Sequence, residues 1–202
     1  MQKEIEVKFL NVDHDDVRAR LTKLGAVCEQ PMRLMRRKMF DYPDNRLQKS
    51  NMSQRLRIRD EGNRVTINYK AGNDAGGSYA REIESIIGSF DDVAQILEAV
   101  GLVCYSFQES KRETWKHKDV EIVLDEWPWV NCYIEIEGPT ESSIKVVADG
   151  LGFNWEDSRV GSVDVAYCAQ YPGMTEHESI GDLAEVRFSL EVPDYFIKRR
   201  SV

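Results

Sequence analysis

Glu4-Ile5-Glu6-Val7-Lys8 opens the polar and apolar alternation that decides the fold of this chain. The Glu-Ile-Glu triplet recurs at residues 82–84 and 135–137, and each copy runs into a helix-like stretch that ends near a glycine. In an extended strand, successive side chains point to opposite faces. Each triplet therefore places two carboxylates on one face and an isoleucine on the other, and the repetition predicts one charged surface built from several strands.

Basic residues follow the same period of two elsewhere in the chain. The segment 54–60 carries Leu56 and Ile58 on one face and three arginines on the other, namely Arg55, Arg57 and Arg59. The segment 64–70 again alternates, with Lys70 on its polar face. A solvated outer face of an antiparallel sheet gives the same alternation. The assortment of acids onto some strands and arginines onto others favours a functional surface instead.

Composition excludes several classes of protein. The 202 residues are 42% hydrophobic and carry a formal net charge of -8, which argues against a general nucleic-acid-binding protein. The four cysteines form no Cys-x-x-Cys pair and the three histidines show no metal-ligand spacing, so we expect reduced cysteines and no zinc site. Without an apolar stretch of about 20 residues or a leader-like start, the sequence predicts a cytoplasmic protein that does not enter membranes.

Three amphipathic helices are predicted between the strands. Asp13 caps the first, which stops at Gly25; Ser89 or Asp91 opens the second, and Thr140 opens the third. The acids around residue 14 resemble a metal cluster, but acids are favoured at a helix start by the helix dipole. Strands, hairpins and helices in this order indicate an α+β fold dominated by antiparallel sheet.

The charged strand faces determine the predicted architecture. If the helices cover the apolar faces of the strands, the sheet closes into a single-domain antiparallel β-barrel, a tunnel with a charged lumen, clad by helices. Such a lumen is costly unless charges pair or ligands bind. A triphosphate that arrives with Mg²⁺ or Mn²⁺ satisfies both the arginines and the carboxylates. We expect the barrel over residues 1–173 and an extension over 174–202, which packs either on the barrel or on a second subunit in a homodimer.

The motifs resemble the CYTH superfamily, also called triphosphate tunnel metalloenzymes, from residue 2 to about 171. The amino-terminal segment matches its Glu-x-Glu-x-Lys signature. Further matching elements follow in order along the chain: Phe40-Asp41, Leu56-Arg57-Ile58-Arg59, Lys70, Arg81-Glu82-Ile83-Glu84, Arg112 with Trp115, Asp125, and Glu135-Ile136-Glu137-Gly138. Two positions depart from the family pattern. Ser110 stands where many members have a lysine, with Lys111 in the opposite strand phase, and Met39 stands where triphosphatases often have a tyrosine.

The resemblance implies roles for particular residues. The metal ligands would be Glu4, Glu6, Asp125, Glu135 and Glu137. Phosphate oxygens would be bound by Arg57, Arg59, Lys70 and Arg112, and we add Arg55 because it shares a face with the other two arginines. Lys8 would orient the phosphates or the attacking group. Glu82 and Glu84 join it in the catalytic set, one assisting the metal and the other pairing with arginine.

The resemblance leaves three functions open. The leading one is a metal-dependent hydrolase of a small-molecule triphosphate, inorganic or organic. The alternative is a class IV adenylyl cyclase that converts ATP to cyclic AMP and pyrophosphate. A lesser alternative is a non-catalytic module that binds polyphosphate or nucleotides. Trp127-Pro128-Trp129 is interpreted as a hairpin turn with exposed aromatic side chains.

Overall fold

A computed structural model describes residues 5–51, 54–72, 81–175 and 178–200. The predicted metal ligand Glu4 therefore lies outside the described residues. The helices and strands are, in chain order, β1 (Ile5–Leu10), α1 (His14–Leu24), β2 (Val27–Asp41), β3 (Arg55–Asp60), β4 (Val65–Ala71), β5 (Arg81–Ile87), α2 (Phe90–Ala99), β6 (Val103–His117), β7 (Val120–Glu126), β8 (Tyr133–Gly138), α3 (Glu141–Gly150), α4 (Asp164–Gln170), β9 (Glu185–Val186) and α5 (Asp194–Ile197).

The strands pair in the order β1-β8-β7-β6-β2-β3-β4-β5, with β9 added to β6. The short β9 pairs in parallel with β6, and the registers of the longer strands are antiparallel. The predicted α+β class with an antiparallel sheet is confirmed. Among the described residues the order ends on β1 and β5, so hydrogen-bonded pairing does not close the ring that we predicted. Six of the seven residues of β5 are exposed, as expected of an edge strand.

The chain divides into two compact units. It passes from one unit to the other within the long strands β2 and β6. Unit 1 comprises residues 1–33, 110–178 and 188–202, and unit 2 comprises residues 34–109 and 179–187.

Unit 1 has a core between its strands and two helices. The buried cluster joins α1 and α3 to the apolar faces of β1, β7 and β8, through Val7, Phe9, Val17, Leu21, Ile122, Leu124, Ile134, Ile136, Ile144 and Ala148. Asp13 caps α1 by accepting from the backbone N–H groups of Asp15 and Asp16, and Gly25 ends it with a φ of 79°. Thr140 caps α3. The predicted starts of both helices are confirmed.

Unit 2 repeats this arrangement with one helix. Ser89 caps α2, and the helix buries Phe90 and Ala94 against Phe40 and Ile58 of the neighbouring strands. Because Ile58 lies between arginines in β3, packing of its side chain on α2 turns the arginines to the opposite face. Burial of the apolar phase thus fixes the face on which the charged side chains lie.

Asp41 organises the turn after β2. Its side chain is fully buried and accepts hydrogen bonds from the backbone N–H groups of Tyr42 at 2.7 Å, Leu47 at 3.0 Å and Gln48 at 3.0 Å. These bonds satisfy donors that would otherwise be unpaired in a loop. The residue that carries the aromatic-Asp resemblance thus has a structural role in this turn.

The predicted extension over 174–202 is divided between the units, since residues 179–187 belong to unit 2 and residues 188–202 to unit 1. Phe196 is fully buried and its ring lies 4.7 Å from that of Tyr171 and 5.1 Å from that of Tyr167, measured between centroids. The Trp129 indole N–H donates to the Leu190 carbonyl at 2.9 Å. Trp127 is only 5% exposed, so the expectation of exposed aromatics in this turn is wrong for that residue. In the described ranges, no helix combines the length and apolar character needed to cross a bilayer.

Candidate functional site

The strand register of unit 1 builds a face of carboxylates. Glu6 of β1 lies directly opposite Glu137 of β8, and Glu137 lies opposite Glu121 of β7. One step along the strands, Lys8 lies opposite Glu135. These residues, with Asp125 and Arg112, form what we call the carboxylate face. It lies on the side of the strands away from the core that α1 and α3 cover.

Lys8 is a buried ammonium held between acids. Its side chain is 2% exposed, its Nζ lies 3.1 Å from Glu135 Oε1, and it also pairs with Glu6. Burial favours the neutral amine, but attraction to Glu135 and Glu6 outweighs it and raises the pKa of Lys8 above its ordinary value. Lys8 is therefore a fixed positive charge near neutral pH and cannot serve as a proton acceptor.

The two partners of Lys8 have pKa values displaced in opposite directions. Burial and the charge of Glu135 raise the pKa of Glu6, against the attraction of Lys8. Burial also penalises the Glu135 carboxylate, but Arg112 and Lys8 outweigh it and lower the pKa of Glu135. Of these two carboxylates, Glu6, whose side chain is 41% exposed, is therefore the one whose charge an added cation would stabilise more.

Arg112 and Asp125 contact each other directly. The guanidinium donates from Nε to Asp125 Oδ1 at 2.8 Å and from Nη2 to Oδ2 at 2.5 Å, and Nη2 also reaches Glu135 at 2.8 Å. Burial disfavours the charge of Arg112, but these two carboxylates raise its pKa well above the ordinary value. The residue predicted to bind phosphate and a predicted metal ligand therefore form a bidentate pair in this structure.

Unit 2 carries the second set of predicted residues, which we call the arginine face. In β3, Arg55, Arg57 and Arg59 share one face and lie opposite Lys70, Asn68 and Thr66 of β4. In β5, Glu82 lies opposite Lys70, and Glu84 lies opposite Asn68. The predicted clustering of the three arginines with Lys70 is thus observed, together with both glutamates.

Arg57 lies among like charges. Burial, Arg59 and Arg37 together lower the pKa of Arg57 to about 9. Its buried Nε has no hydrogen-bond partner among the described residues. Arg59, by contrast, pairs with Glu61. The guanidinium of Arg57 remains charged near neutral pH. A bound anion would offset the cost of burying this charge and the repulsion from Arg59 and Arg37.

Glu82 and Glu84 form contacts within unit 2. The Nζ of Lys70 lies 3.0 Å from Glu82 Oε1. The Asn68 side-chain amide donates to Glu82 at 2.8 Å and to Glu84 at 3.2 Å. Burial opposes ionisation, but Asn68 and Lys70 lower the pKa of Glu82. Both glutamates therefore act here as partners of polar residues on β4.

The register adds residues that sequence reasoning missed. Glu121 lies beside Glu137 on the carboxylate face, and Arg37 lies beside Arg59 on the arginine face. The alternation of residues 120–125 placed Glu121 in phase with Asp125 and could have identified it. Lys111 lies in the opposite phase, as expected, where its Nζ bonds Glu126 at 2.9 Å.

The donors of the carboxylate face fit a hard divalent cation. Glu6, Glu121, Asp125, Glu135 and Glu137 offer oxygen alone, which Mg²⁺ and Mn²⁺ prefer. In the registers of β1, β8, β7 and β6, these five carboxylates share one face of the sheet with basic residues that include Lys8, Arg112 and Lys116.

Comparison with known proteins gives one family and several similar folds. The sequence model of the CYTH domain matches residues 2–150. The protein PH1012 from Pyrococcus horikoshii has 21% identity and a TM-score of 0.63, over 81% of this chain and 99% of that one. A "putative adenylate cyclase" from Vibrio parahaemolyticus has 17% identity and a TM-score of 0.66, over 82% and 97%.

A third similar structure carries a statement of activity. The "putative adenylyl cyclase HpAC1" from Hippeastrum, described as having a dominant triphosphatase activity, has 15% identity and a TM-score of 0.55, over 83% of this chain and 96% of that one. These identities establish likeness of fold alone. No curated protein matches the sequence.

Proposed function

Because this chain belongs to the CYTH domain family, we propose that it is a divalent-metal-dependent phosphohydrolase acting on a triphosphate, inorganic or organic. The observation that carries the proposal is the excess of carboxylates on the carboxylate face, where Glu6, Glu137 and Glu121 occupy one row across three strands. Like charges placed side by side destabilise a sheet. A bound divalent cation would offset the repulsion among these three carboxylates, so cation binding explains why they lie side by side.

The arginine face supports the choice of a polyanionic substrate. Arg57 is buried among like charges, and Arg55, Arg59 and Lys70 stand on the same face. Planar guanidinium groups bind phosphate oxygens in pairs, and a lysine adds a point charge. A single phosphate would not need so many cations, whereas a chain of three phosphates would.

The roles of the residues follow from their charge states. In phosphoryl transfer the protein mainly positions the substrate and neutralises developing charge. Glu4, Glu6, Asp125, Glu135 and Glu137 would hold the metal, which would neutralise phosphate oxygens and activate water. Lys8 and Arg112 would hold three of these carboxylates in place, since Lys8 already pairs with Glu6 and Glu135, and Arg112 with Asp125 and Glu135. Lys8 stays protonated, so its part in catalysis is to orient groups.

The remaining predicted residues act on the substrate. Its phosphate oxygens would be bound by Arg55, Arg57, Arg59 and Lys70. Arg112 would bind them only after breaking its bidentate hydrogen bonds to Asp125. Glu82 and Glu84 would keep Lys70 and Asn68 oriented, which follows from their contacts with those two side chains. This role differs from direct catalysis and is tested by substituting Glu82 with glutamine, which should raise the KM more than it lowers kcat.

The alternative is cyclisation of ATP by the same family of folds. The Vibrio parahaemolyticus neighbour is named for that activity, while the Hippeastrum neighbour is described by triphosphatase activity. The two reactions differ in the nucleophile: water attacks in hydrolysis, and the 3′-hydroxyl of the substrate attacks in cyclisation. We favour hydrolysis because the charged residues described here recognise phosphates and none of them requires a nucleoside.

Product analysis separates the two reactions. The protein is incubated with Mg²⁺ or Mn²⁺ and either tripolyphosphate or ATP, and the products are separated. Orthophosphate from tripolyphosphate without cyclic AMP from ATP is the expected result. Cyclic AMP with pyrophosphate would establish the cyclase. If neither substrate is converted but the protein still binds tripolyphosphate or ATP, it is a non-catalytic binding module.

A further inference from the structure

A histidine, a carboxylate and a thiol come together on the other side of the unit 1 strands. One ligand atom from each of His14, Glu126 and Cys132 lies within 4.8 Å of the other two. His14 begins α1, Glu126 ends β7, and Cys132 immediately precedes β8. Glu126 is next to Asp125 in the chain but in the opposite strand phase, so the cluster does not share the carboxylate face.

The hydrogen bonding of His14 leaves one ring nitrogen directed into this cluster. Its Nε2 lies 3.2 Å from the backbone carbonyl of Tyr133, and a carbonyl can only accept, so Nε2 carries the proton. The other nitrogen, Nδ1, is buried without a hydrogen-bond partner among the described residues. His14 is only 7% exposed, so water does not readily solvate that nitrogen.

The nearest charged group does not satisfy Nδ1 of a neutral ring. Glu126 Oε1 lies 3.9 Å from it, and both atoms are then acceptors with lone pairs. Glu126 is part-buried, with 28% of its side chain exposed, whereas Nδ1 is buried. A buried acceptor that meets a second acceptor is unfavourable unless a cation or a proton lies between them. A doubly protonated His14 would supply a proton, and a metal ion would supply the cation. The thiol of Cys132 lies at the same place; its S–H is only a weak donor, whereas its thiolate is a strong ligand for a transition metal.

We propose that His14, Glu126 and Cys132 form a second metal site in this chain, selective for Zn²⁺ or a similar borderline transition metal. Imidazole nitrogen, thiolate sulfur and carboxylate oxygen are the donors that zinc uses, whereas Mg²⁺ prefers oxygen alone. The thiolate and the carboxylate together balance the charge of Zn²⁺. The expectation of no zinc site rests on local spacing, which does not detect ligands that come from distant parts of the sequence.

The dimensions suit a tetrahedral ion after a small contraction. Bonds of about 2.0–2.3 Å place the ligand atoms of a tetrahedral site roughly 3.5 Å apart. The separation of 3.9 Å between His14 and Glu126 is close to this, and the limit of 4.8 Å for the set requires closure by side-chain rotation. Three protein ligands leave the fourth position for water.

Outer contacts already orient two of the ligands. The Tyr133 carbonyl fixes the tautomer of His14, and Lys111 Nζ holds the second oxygen of Glu126 at 2.9 Å. Such contacts are typical of zinc sites. The backbone carbonyl of Cys132 accepts from the N–H of Val12 at 3.1 Å, which holds the thiol near the start of α1. A bound ion would therefore link α1 to the connection between β7 and β8.

Cobalt substitution tests the site independently of any enzymatic activity. The full chain is titrated with Co²⁺ in the presence of excess Mg²⁺, which occupies oxygen-only sites, and the near-ultraviolet absorption of a thiolate–cobalt bond is recorded. We expect this band to saturate at one ion per chain in the native protein and to be displaced by Zn²⁺. Cys132→Ser should abolish the band, and Cys168→Ser, the matched control at another partly buried cysteine, should keep it.

Two further variants distinguish a metal site from an ion pair between protonated His14 and Glu126. His14→Gln and Glu126→Gln should weaken Zn²⁺ binding by roughly 100-fold or more, because ligand loss costs at least as much as loss of an outer contact. Zn²⁺ should raise the melting temperature of the native protein and of Cys168→Ser, but not of Cys132→Ser. Absence of the thiolate band in the native protein, or an undiminished band in Cys132→Ser, would overturn the proposal and leave a protonated His14 paired with Glu126.

Discussion

Replacement of Arg57 by methionine should make the ligand-free protein more stable while it destroys substrate binding. Methionine has a similar length and no charge, so the β3 backbone and the packing of Ile58 on α2 are kept. The ligand-free protein then loses the cost of burying the Arg57 charge and the repulsion that Arg59 and Arg37 exert on it. A residue that lowers stability in the free protein and binds in the complex is typical of a functional site.

The magnitude follows from the pKa of Arg57. Burial first, and then Arg59 and Arg37, lower this pKa from its ordinary value to about 9, which corresponds to roughly 5 kcal/mol at about 1.4 kcal/mol per factor of ten. Attraction to Glu84 and Glu61 is lost together with the charge, and replacing a buried charge with an apolar side chain of similar size typically stabilises a protein by only a few kcal/mol. We therefore expect a net gain of about 1–2 kcal/mol in the free energy of unfolding. For a chain of this size the melting temperature should rise by about 5 °C.

The assay is thermal unfolding with and without tripolyphosphate and Mg²⁺. Tripolyphosphate should raise the melting temperature of the native protein and leave that of Arg57→Met unchanged. Arg59→Met is the matched control on the same face of β3. Its loss removes one charge that repels Arg57 but leaves the buried Glu61 without this partner, so it should not stabilise the free protein on balance. If Arg57→Met melts below the native protein and still responds fully to tripolyphosphate, the reasoning about Arg57 is refuted.

Three further predictions concern stability. Asp41→Ala should lower the free energy of unfolding in urea by roughly 3 kcal/mol, because buried backbone donors lose their acceptor; the exposed Asp44→Ala should change it little, and equal effects would contradict the assigned role. Lys8→Met should lower it by about 3–5 kcal/mol near neutral pH, with a smaller loss in acid as its carboxylate partners take up protons; a pH-independent loss would contradict the pairing. The Arg199 hydrogen bond lowers the pKa of Glu178 from 4.5 to about 2, so this stabilisation is present above pH 4.5 and lost towards pH 2. Glu178→Gln should therefore lower the melting temperature at neutral pH and not near pH 2; an equal decrease at both would be inconsistent with it.

Local patterns predicted the elements well because they depend on neighbouring residues alone. The alternation in β3 fixed which face holds Arg57, since Ile58 had to be buried. The caps at Asp13 and Thr140 began helices as expected because their side chains accept from backbone N–H groups two or three residues later. Side-chain periodicity and capping act within a few residues, so the sequence contains their full cause.

Pairing partners could not be predicted because register depends on distant segments. The row of Glu6, Glu137 and Glu121 exists only once β1, β8 and β7 align. The same is true of His14 and Cys132, which no local spacing connects. The homodimer, the cytoplasmic location, the absence of nucleic-acid partners and the boundary at residue 173 stay predictions.

The most direct test of the central claim is the rate of tripolyphosphate hydrolysis by the native protein and by Glu135→Gln, each with and without Mg²⁺ or Mn²⁺. Glu135 contacts both Lys8 and Arg112, and Glu141→Gln, at an exposed position in α3, is the control for charge loss. We predict turnover only with metal, lost in Glu135→Gln and retained in Glu141→Gln, with all three proteins folded. Full activity without metal, or full activity in Glu135→Gln, would contradict the account.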